Sequence, residues 1–205
     1  MTERERWSGT WSRLGAVGSE ALLGELVARY SEPHRFYHTL QHLRECFSVL
    51  EPASHLAERL AEVQLALWFH DAIYDTRAQD NEEQSARWAE QSLVAGGASP
   101  DAAARVRELV LATKHNAVPE GEDAKLLVDV DLSILGAKEP RFAEYERQIR
   151  QEYAWVPEDA FRQRRARVLA SFLDRSSIYS TDWFVARLEE QSRKNLSRSL
   201  KELVV

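Results

Sequence analysis

An apolar run leads directly into a histidine and an aspartate in Leu65-Ala66-Leu67-Trp68-Phe69-His70-Asp71-Ala72-Ile73-Tyr74-Asp75. Since neither Gly nor Pro interrupts it, this run predicts a buried helix segment. His70 and Asp71 would then lie at the edge of a hydrophobic core. Burying an imidazole and a carboxylate is costly unless a partner compensates them. A divalent cation would bind both side chains at once, so the stretch indicates a metal site.

The length and composition predict one soluble globular domain, 1–205. A chain of 205 residues can bury a core large enough to fold without a disulfide or a structural metal. Apolar residues make up 44% and charged residues 29%, an ordinary globular balance. The net charge of −6 argues against electrostatic attraction to a nucleic acid polymer or an anionic membrane. A locally basic pocket for a phosphate group is compatible with that charge.

Cys46 is the only cysteine, which rules out an intrachain disulfide and a cysteine-rich zinc site. Any metal must therefore be bound by histidine and carboxylate side chains. The N-terminus is charged and lacks the apolar core of a signal peptide. No stretch approaches the roughly 18 apolar residues of a transmembrane helix. These features predict a cytoplasmic location.

The pattern of apolar residues and breakers predicts helices throughout, and thus an all-α fold. Alternating runs typical of strands are absent, and only eight Gly and six Pro occur. After an entry segment around residues 7–14, the predicted helices cover about residues 19–30, 33–50, 54–71, 80–96, 99–115 and 123–135, with three more starting at Pro140, Pro157 and Thr181-Asp182. The second of these would open at Pro33 and carry His34, His38 and His42 at spacings of four. We therefore expect His38 and His42 on one helix face.

Four separate segments supply side chains that can bind a metal. They are residues 37–44 with His38 and His42, the pair His70-Asp71, residues 113–115 with His115, and Asp129-Val130-Asp131-Leu132. The order His, His-Asp, His, Asp along a helical chain resembles the HD-domain superfamily of metal-dependent phosphohydrolases. The phrases Arg-Phe-Tyr-His-Thr-Leu-Gln-His, Trp-Phe-His-Asp-Ala-Ile-Tyr-Asp and Asp-Val-Asp-Leu-Ser-Ile-Leu-Gly resemble a bacterial branch of predicted HD hydrolases. The resemblance spans about residues 30–136 and implies an HD-type helical bundle, on which helices in 137–205 would pack.

The resemblance implies four metal ligands: His42, His70, Asp71 and Asp131. Asp131 matches the family's late aspartate because Leu132 follows it, and Asp129 is its nearby competitor. This donor set suits a roughly octahedral Mn, Fe, Co, Ni or Mg ion, and zinc remains open. His38, His115 and Asp129 are candidates for a further metal or for substrate. Alternatively, His38 is a surface residue, His115 favourably contacts a helix C-terminus, and Asp129 supports the ligands or is a surface acid.

A bound divalent ion would lower the pKa of water and polarise a phosphoryl oxygen. Asp71 itself or Glu83 could then act as general acid or base. Glu83 has an alternative role, because Asp80 and Glu83 match the capping-box pattern at a helix start. Candidates for binding the substrate phosphate are Arg35, Lys114 and Arg77, and their alternative is that of solvated surface charges.

The sequence therefore predicts a metal-dependent phosphohydrolase that acts on a small phosphate ester, with a nucleotide as one candidate. One alternative is a non-catalytic HD module that binds or senses a nucleotide. Another is a plain helical interaction protein with scattered histidines. The last helix carries Leu188, Leu196 and Leu200, which could pair two copies of the chain as a homodimer or pack on the chain's own core.

Overall fold

The computed structural model of the chain describes residues 2–115 and 117–204. Within those residues it contains α-helices, two short 3-10 helices and no β-strand, so the all-α fold predicted from the sequence is confirmed. The α-helices are α1 (Glu3–Arg13), α2 (Glu20–Arg29), α3 (Leu40–Ala53), α4 (Leu60–Phe69), α5 (Asn81–Ala95), α6 (Pro100–Ala112), α7 (Glu122–Asp131), α8 (Glu139–Glu152), α9 (Glu158–Leu173) and α10 (Asp182–Val204). The 3-10 helices are Ser54–Leu56 and Leu132–Gly136.

The chain forms two compact units, Met1–Val128 and Asp129–Val205. The division falls within helix α7, which begins in the first unit and ends at Asp131, three residues into the second. The single domain over 1–205, with its division near residue 136, stays a prediction.

In the first unit, the central apolar stretch forms α4, and every side chain from Glu62 to Phe69 is buried. This confirms the buried helix segment predicted above. The helix contacts α1, α3, α5 and α6, so it is covered on all sides. The buried Glu62 carboxylate on this helix is compensated, since Arg105 donates two hydrogen bonds to it, of 2.8 and 2.6 Å. Because each fully buried large apolar side chain contributes about 1.5–3 kcal/mol, α4 anchors this unit.

A cluster of tryptophans covers one side of α4. The ring centroid of Trp7 lies 5.3 Å from that of Trp11 and 5.4 Å from that of Trp68. Gly96, which ends α5, packs against this cluster. A Cβ atom at Gly96 would lie 2.5 Å from Trp11 Cζ3 and 2.7 Å from the carbonyl oxygen of Val17. The residue is therefore a glycine because of close packing, since its φ of −79° is ordinary.

We expect Gly96→Ala to destabilise the protein by about 1–3 kcal/mol, because the added methyl group overpacks the tryptophan cluster. Gly24→Ala is the matched control. Gly24 is exposed within α2, and an added Cβ there meets nothing within 4 Å. Alanine should therefore stabilise that helix by about 1 kcal/mol. Urea unfolding of the two variants measures both effects, and shifts of the same sign would contradict this account of Gly96.

The predicted helix over 33–50 is wrong for residues 33–39. Residues 31–39 form an irregular segment, and α3 begins at Leu40 after the Thr39 cap, whose hydroxyl accepts from the Gln41 amide at 3.3 Å. His34 and His38 therefore precede the helix that carries His42. The helical spacing of four among the three histidines does not correspond to one helix face.

Three other predicted boundaries also differ from the structure. Asp80 makes no side-chain cap bond, so the capping box with Glu83 is wrong. The Asn81 side chain instead contacts the backbone of Asp75, at 3.1 Å from its amide and 2.9 Å from its carbonyl oxygen. The helix predicted over 123–135 changes to a 3-10 helix after Asp131. The helix predicted from Ser54 is a 3-10 turn followed by α4.

In the second unit, α10 packs against α9 and against the 3-10 helix Leu132–Gly136. Leu196 is fully buried, and Leu188 lies against Gly136. Asn195 donates hydrogen bonds to the carbonyl oxygens of Leu135 and Ala137, at 2.8 and 2.9 Å. Leu188 and Leu196 thus pack within their own unit, and the homodimer stays a prediction. None of the helices in residues 2–115 and 117–204 combines the length and the apolar character that crossing a membrane requires.

Candidate metal centre

His70 ends α4 with its ring orientation set by the backbone. Its Nδ1 lies 2.8 Å from the carbonyl oxygen of Leu67, to which an Nδ1–H donates. Because a neutral imidazole carries one proton, this bond leaves the Nε2 lone pair of His70 available as an acceptor or metal ligand. Only 1% of His70 is exposed to solvent.

His42 meets His70 from α3. It is the third residue of that helix, and its Nε2 lies 3.1 Å from Nε2 of His70. The ring of Tyr37 packs against His42, with centroids 4.7 Å apart. Both histidines are buried, so their facing nitrogens must share either a proton or a cation.

Asp71 brings a carboxylate to the same place. Its Oδ2 lies 3.0 Å from His70 Nε2 and 3.5 Å from His42 Nε2, and 19% of its side chain is exposed. Burial by itself would raise the pKa of this carboxyl. The neighbouring imidazoles of His70, His38 and His42 hold the pKa well below its usual value. Asp71 is therefore an anion at neutral pH, as a metal ligand must be.

Asp131, the fourth ligand implied by the resemblance, is the last residue of α7 and is partly buried. It lies in the second unit, and its role as a ligand stays a prediction. His42, His70 and Asp71 all belong to the first unit, where the contacts described above bring them together.

The distances fit the dimensions of a metal site. With metal–nitrogen bonds of about 2.1 Å, neighbouring ligand atoms lie about 3.0 Å apart around an octahedral ion and about 3.4 Å apart around a tetrahedral one. The triangle formed by His42 Nε2, His70 Nε2 and Asp71 Oδ2 has sides of 3.0, 3.1 and 3.5 Å. Two nitrogens and hard carboxylate oxygens are a donor set that many divalent ions accept, so the identity of the ion stays open.

The three additional candidates occupy different places. The ring of His38 stacks on that of Tyr74 at 4.1 Å and lies 6.0 Å from that of His42, so it borders the cluster. His115 follows α6 with a φ of +55° and belongs to no group of metal-ligating side chains found among the described residues. Asp129 is buried and accepts hydrogen bonds from the backbone before α10, so it is not a surface acid.

Glu83 and Lys114 form an ion pair with each other. The hydrogen bond from Lys114 lowers the pKa of Glu83, and the same bond raises the pKa of Lys114. A lowered pKa makes Glu83 a weaker base, so the pairing works against the predicted catalytic role. Arg77 is exposed, and its backbone N–H donates to Asp75 Oδ1 at 2.9 Å. The phosphate-binding roles of Lys114 and Arg77 stay predictions.

Tyr30 supports the cluster, and no feature of the sequence marked it. Its hydroxyl lies 3.2 Å from the carbonyl oxygen of Trp68, to which it donates, and 3.4 Å from the amide of Asp71, from which it accepts. Burial raises the pKa of Tyr30 to about 12, so the hydroxyl keeps its proton. Cys46 also borders the cluster, with Sγ 3.6 Å from His42 Nδ1. Its spacing of four from His42 in one helix could have indicated that contact.

Comparison of the chain with protein-family models, with curated proteins and with solved structures finds no match. The class of protein that the described residues define is thus an all-α protein with a His/His/Asp cluster suited to a metal ion.

Proposed function

We propose that the protein is a metal-dependent phosphohydrolase that acts on a small phosphate ester, with nucleotides as the first compounds to test. The observation that carries the proposal is the convergence of His42 Nε2, His70 Nε2 and Asp71 Oδ2, which lie 3.0 to 3.5 Å from one another. The order of these residues along the sequence resembles that of HD-domain phosphohydrolases, which supports the same function. A divalent ion bound there would supply an activated water and would neutralise phosphate charge.

The residues around the cluster can perform the protein's part of this chemistry. Buried His42 and His70 contribute neutral nitrogens, which a metal site requires. Asp71 is the most exposed member of the triangle, so a substrate would approach from its side. As an anion at neutral pH, its carboxylate can accept a proton from water or orient that water. His38, partly exposed beside Asp71, is available to contact a phosphate oxygen.

The test has two arms, binding and turnover. The purified chain is stripped with a chelator, and the free energy of unfolding is measured with and without Mn, Co, Ni, Mg or Zn. At free metal of about 100 times Kd, binding should raise the unfolding free energy by about 2.7 kcal/mol. A panel of phosphate esters, including nucleoside monophosphates and cyclic nucleotides, is then assayed for phosphate release with each metal.

We expect metal-dependent release of phosphate from at least one class of ester. Equal activity of the stripped protein would overturn the proposal, and so would the absence of any metal-dependent stabilisation. Tight nucleotide binding with no turnover under any metal would instead establish the sensor module. A cytoplasmic location and a small phosphorylated substrate belong to the same proposal.

A further inference from the structure

A single arginine connects the two segments that carry the histidine ligands. Arg35 lies in the irregular segment 31–39 ahead of α3, and its side chain is completely buried. A buried guanidinium is costly unless its N–H groups find acceptors. Arg35 carries five such donors in a rigid plane.

Four of these donors contact acceptors on both sides of the cluster. The distances are 3.0 Å to the Glu32 carboxylate, 3.2 Å to the His38 carbonyl oxygen, 2.6 Å to the Asp71 carbonyl oxygen and 3.0 Å to the Ala72 carbonyl oxygen. Two of the acceptors belong to the segment that leads into α3. The other two belong to the turn that follows α4.

The turn after α4 needs such a donor. The carbonyl groups of Asp71 and Ala72 lie just beyond the end of α4, so they need donors from outside the helix. A cation placed there also interacts favourably with the helix dipole. Arg35 meets both needs for the turn that contains Asp71. The ring centroids of Tyr30 and Tyr74 each lie 5.4 Å from its guanidinium, so cation–π contacts hold the arginine in addition to its hydrogen bonds.

We infer that Arg35 is a positioning residue that sets the geometry of the metal ligands. It ties the backbone of Asp71 to that of His38, and His42 follows only four residues later. The distances of 3.1 and 3.5 Å from His42 Nε2 to His70 and Asp71 therefore depend on the hydrogen bonds of Arg35 to these two backbone segments. The inference rests on the proposed metal site, and it assigns to Arg35 a role other than the phosphate contact expected from the sequence.

Lysine cannot perform this role. Its ammonium group is a point donor on a flexible chain, whereas the planar guanidinium reaches three carbonyl oxygens and a carboxylate at once. A residue that bound substrate phosphate through charge alone would tolerate lysine better. The comparison of arginine with lysine therefore separates positioning from phosphate binding.

The test uses the full chain with Arg35→Lys and Arg35→Ala. Mn²⁺ affinity is measured by calorimetry on the stripped protein, and inorganic phosphate affinity on the Mn²⁺-loaded protein. Since residues that orient metal ligands typically contribute 10–100-fold to metal affinity, we expect Mn²⁺ binding to weaken by about that factor in both variants. Phosphate affinity of the loaded protein should remain unchanged. Millimolar guanidinium should restore Mn²⁺ affinity to Arg35→Ala, because it can refill the vacated space.

Arg44→Met is the matched control. Arg44 lies on α3 two residues after His42, but its side chain is 62% exposed and pairs with Glu3. We expect its Mn²⁺ affinity to equal that of the wild type.

Wild-type Mn²⁺ affinity with weakened phosphate binding in Arg35→Lys would overturn the inference and leave the proposed function standing. A wild-type chain that binds Mn²⁺ but hydrolyses no ester overturns only the function, and one that binds no metal overturns both. If Arg35→Ala does not fold, Arg35→Lys alone decides.

Discussion

We expect Asp71→Asn to abolish the proposed metal-dependent activity and to leave the helical fold intact. The substitution preserves the shape of the side chain but removes the charge that lies 3.0 Å from His70 and 3.5 Å from His42. A residue that merely orients a metal ligand contributes 10–100-fold, so the loss of a ligand should reduce metal affinity by more than about 100-fold. Activity should fall at least as far, since Asp71 is also the candidate proton acceptor. The unfolding free energy of the metal-free protein should fall at neutral pH, because the lowered pKa of Asp71 means that its anion stabilises the folded state. The helix content should remain that of the wild type.

Asp75→Asn is the control for this variant, four residues along the same segment. Asp75 is exposed, and its Oδ1 accepts from the Arg77 amide, a bond that an asparagine keeps. Calorimetry with Mn²⁺ and phosphate release measure binding and turnover in both variants. Wild-type Mn²⁺ affinity in Asp71→Asn would remove this residue from the ligand set. Equal losses in Asp71→Asn and Asp75→Asn would show that the segment, and not the carboxylate of Asp71, is what matters.

The core of the candidate site could be predicted because its features are local in the sequence. The apolar run before His70 required a buried helix, and burial in turn required a partner for the histidine. The choice between the two aspartates of α7 is also a matter of helix geometry. Residues two apart in an α-helix point about 200° apart, so Asp129 and Asp131 cannot face the same site. The family motif implied Asp131, and in the structure the other aspartate, Asp129, accepts hydrogen bonds from the backbone before α10.

The surroundings of the site could not be predicted, because backbone carbonyl groups form most of them. Arg35 is held by the carbonyl oxygens of Asp71 and Ala72, and no side-chain pattern marks those acceptors. From the sequence, an arginine near histidines indicates a phosphate ligand. In the structure, the same arginine is buried. The irregular segment 31–39 was missed for the same reason, since its contacts are with residues distant along the chain.

We expect Asp129→Ala to destabilise the protein by about 2–4 kcal/mol, because it leaves donors in the second unit without an acceptor. Asp129 is fully buried, and its carboxylate accepts from the amides of Ser180 and Thr181, each at 2.8 Å, and from the Thr181 hydroxyl at 2.7 Å. These groups immediately precede α10. The carboxylate thus joins the end of α7 to the start of α10, where a negative charge also suits the helix dipole.

The pKa of Asp129 shows the opposing effects at this position. Burial raises it, although the hydrogen bonds from Ser180 and Thr181 act to lower it. Burial of the charge therefore costs free energy, yet removing the acceptor is worse, because the amide and hydroxyl donors stay behind.

Asp159→Asn, at an exposed position in the first turn of α9, should change the unfolding free energy by no more than about 0.5 kcal/mol. Urea unfolding of the metal-free protein measures both. If Asp129 were instead a metal ligand, Asp129→Ala would unfold like the wild type without metal and lose only the stabilisation that metal adds.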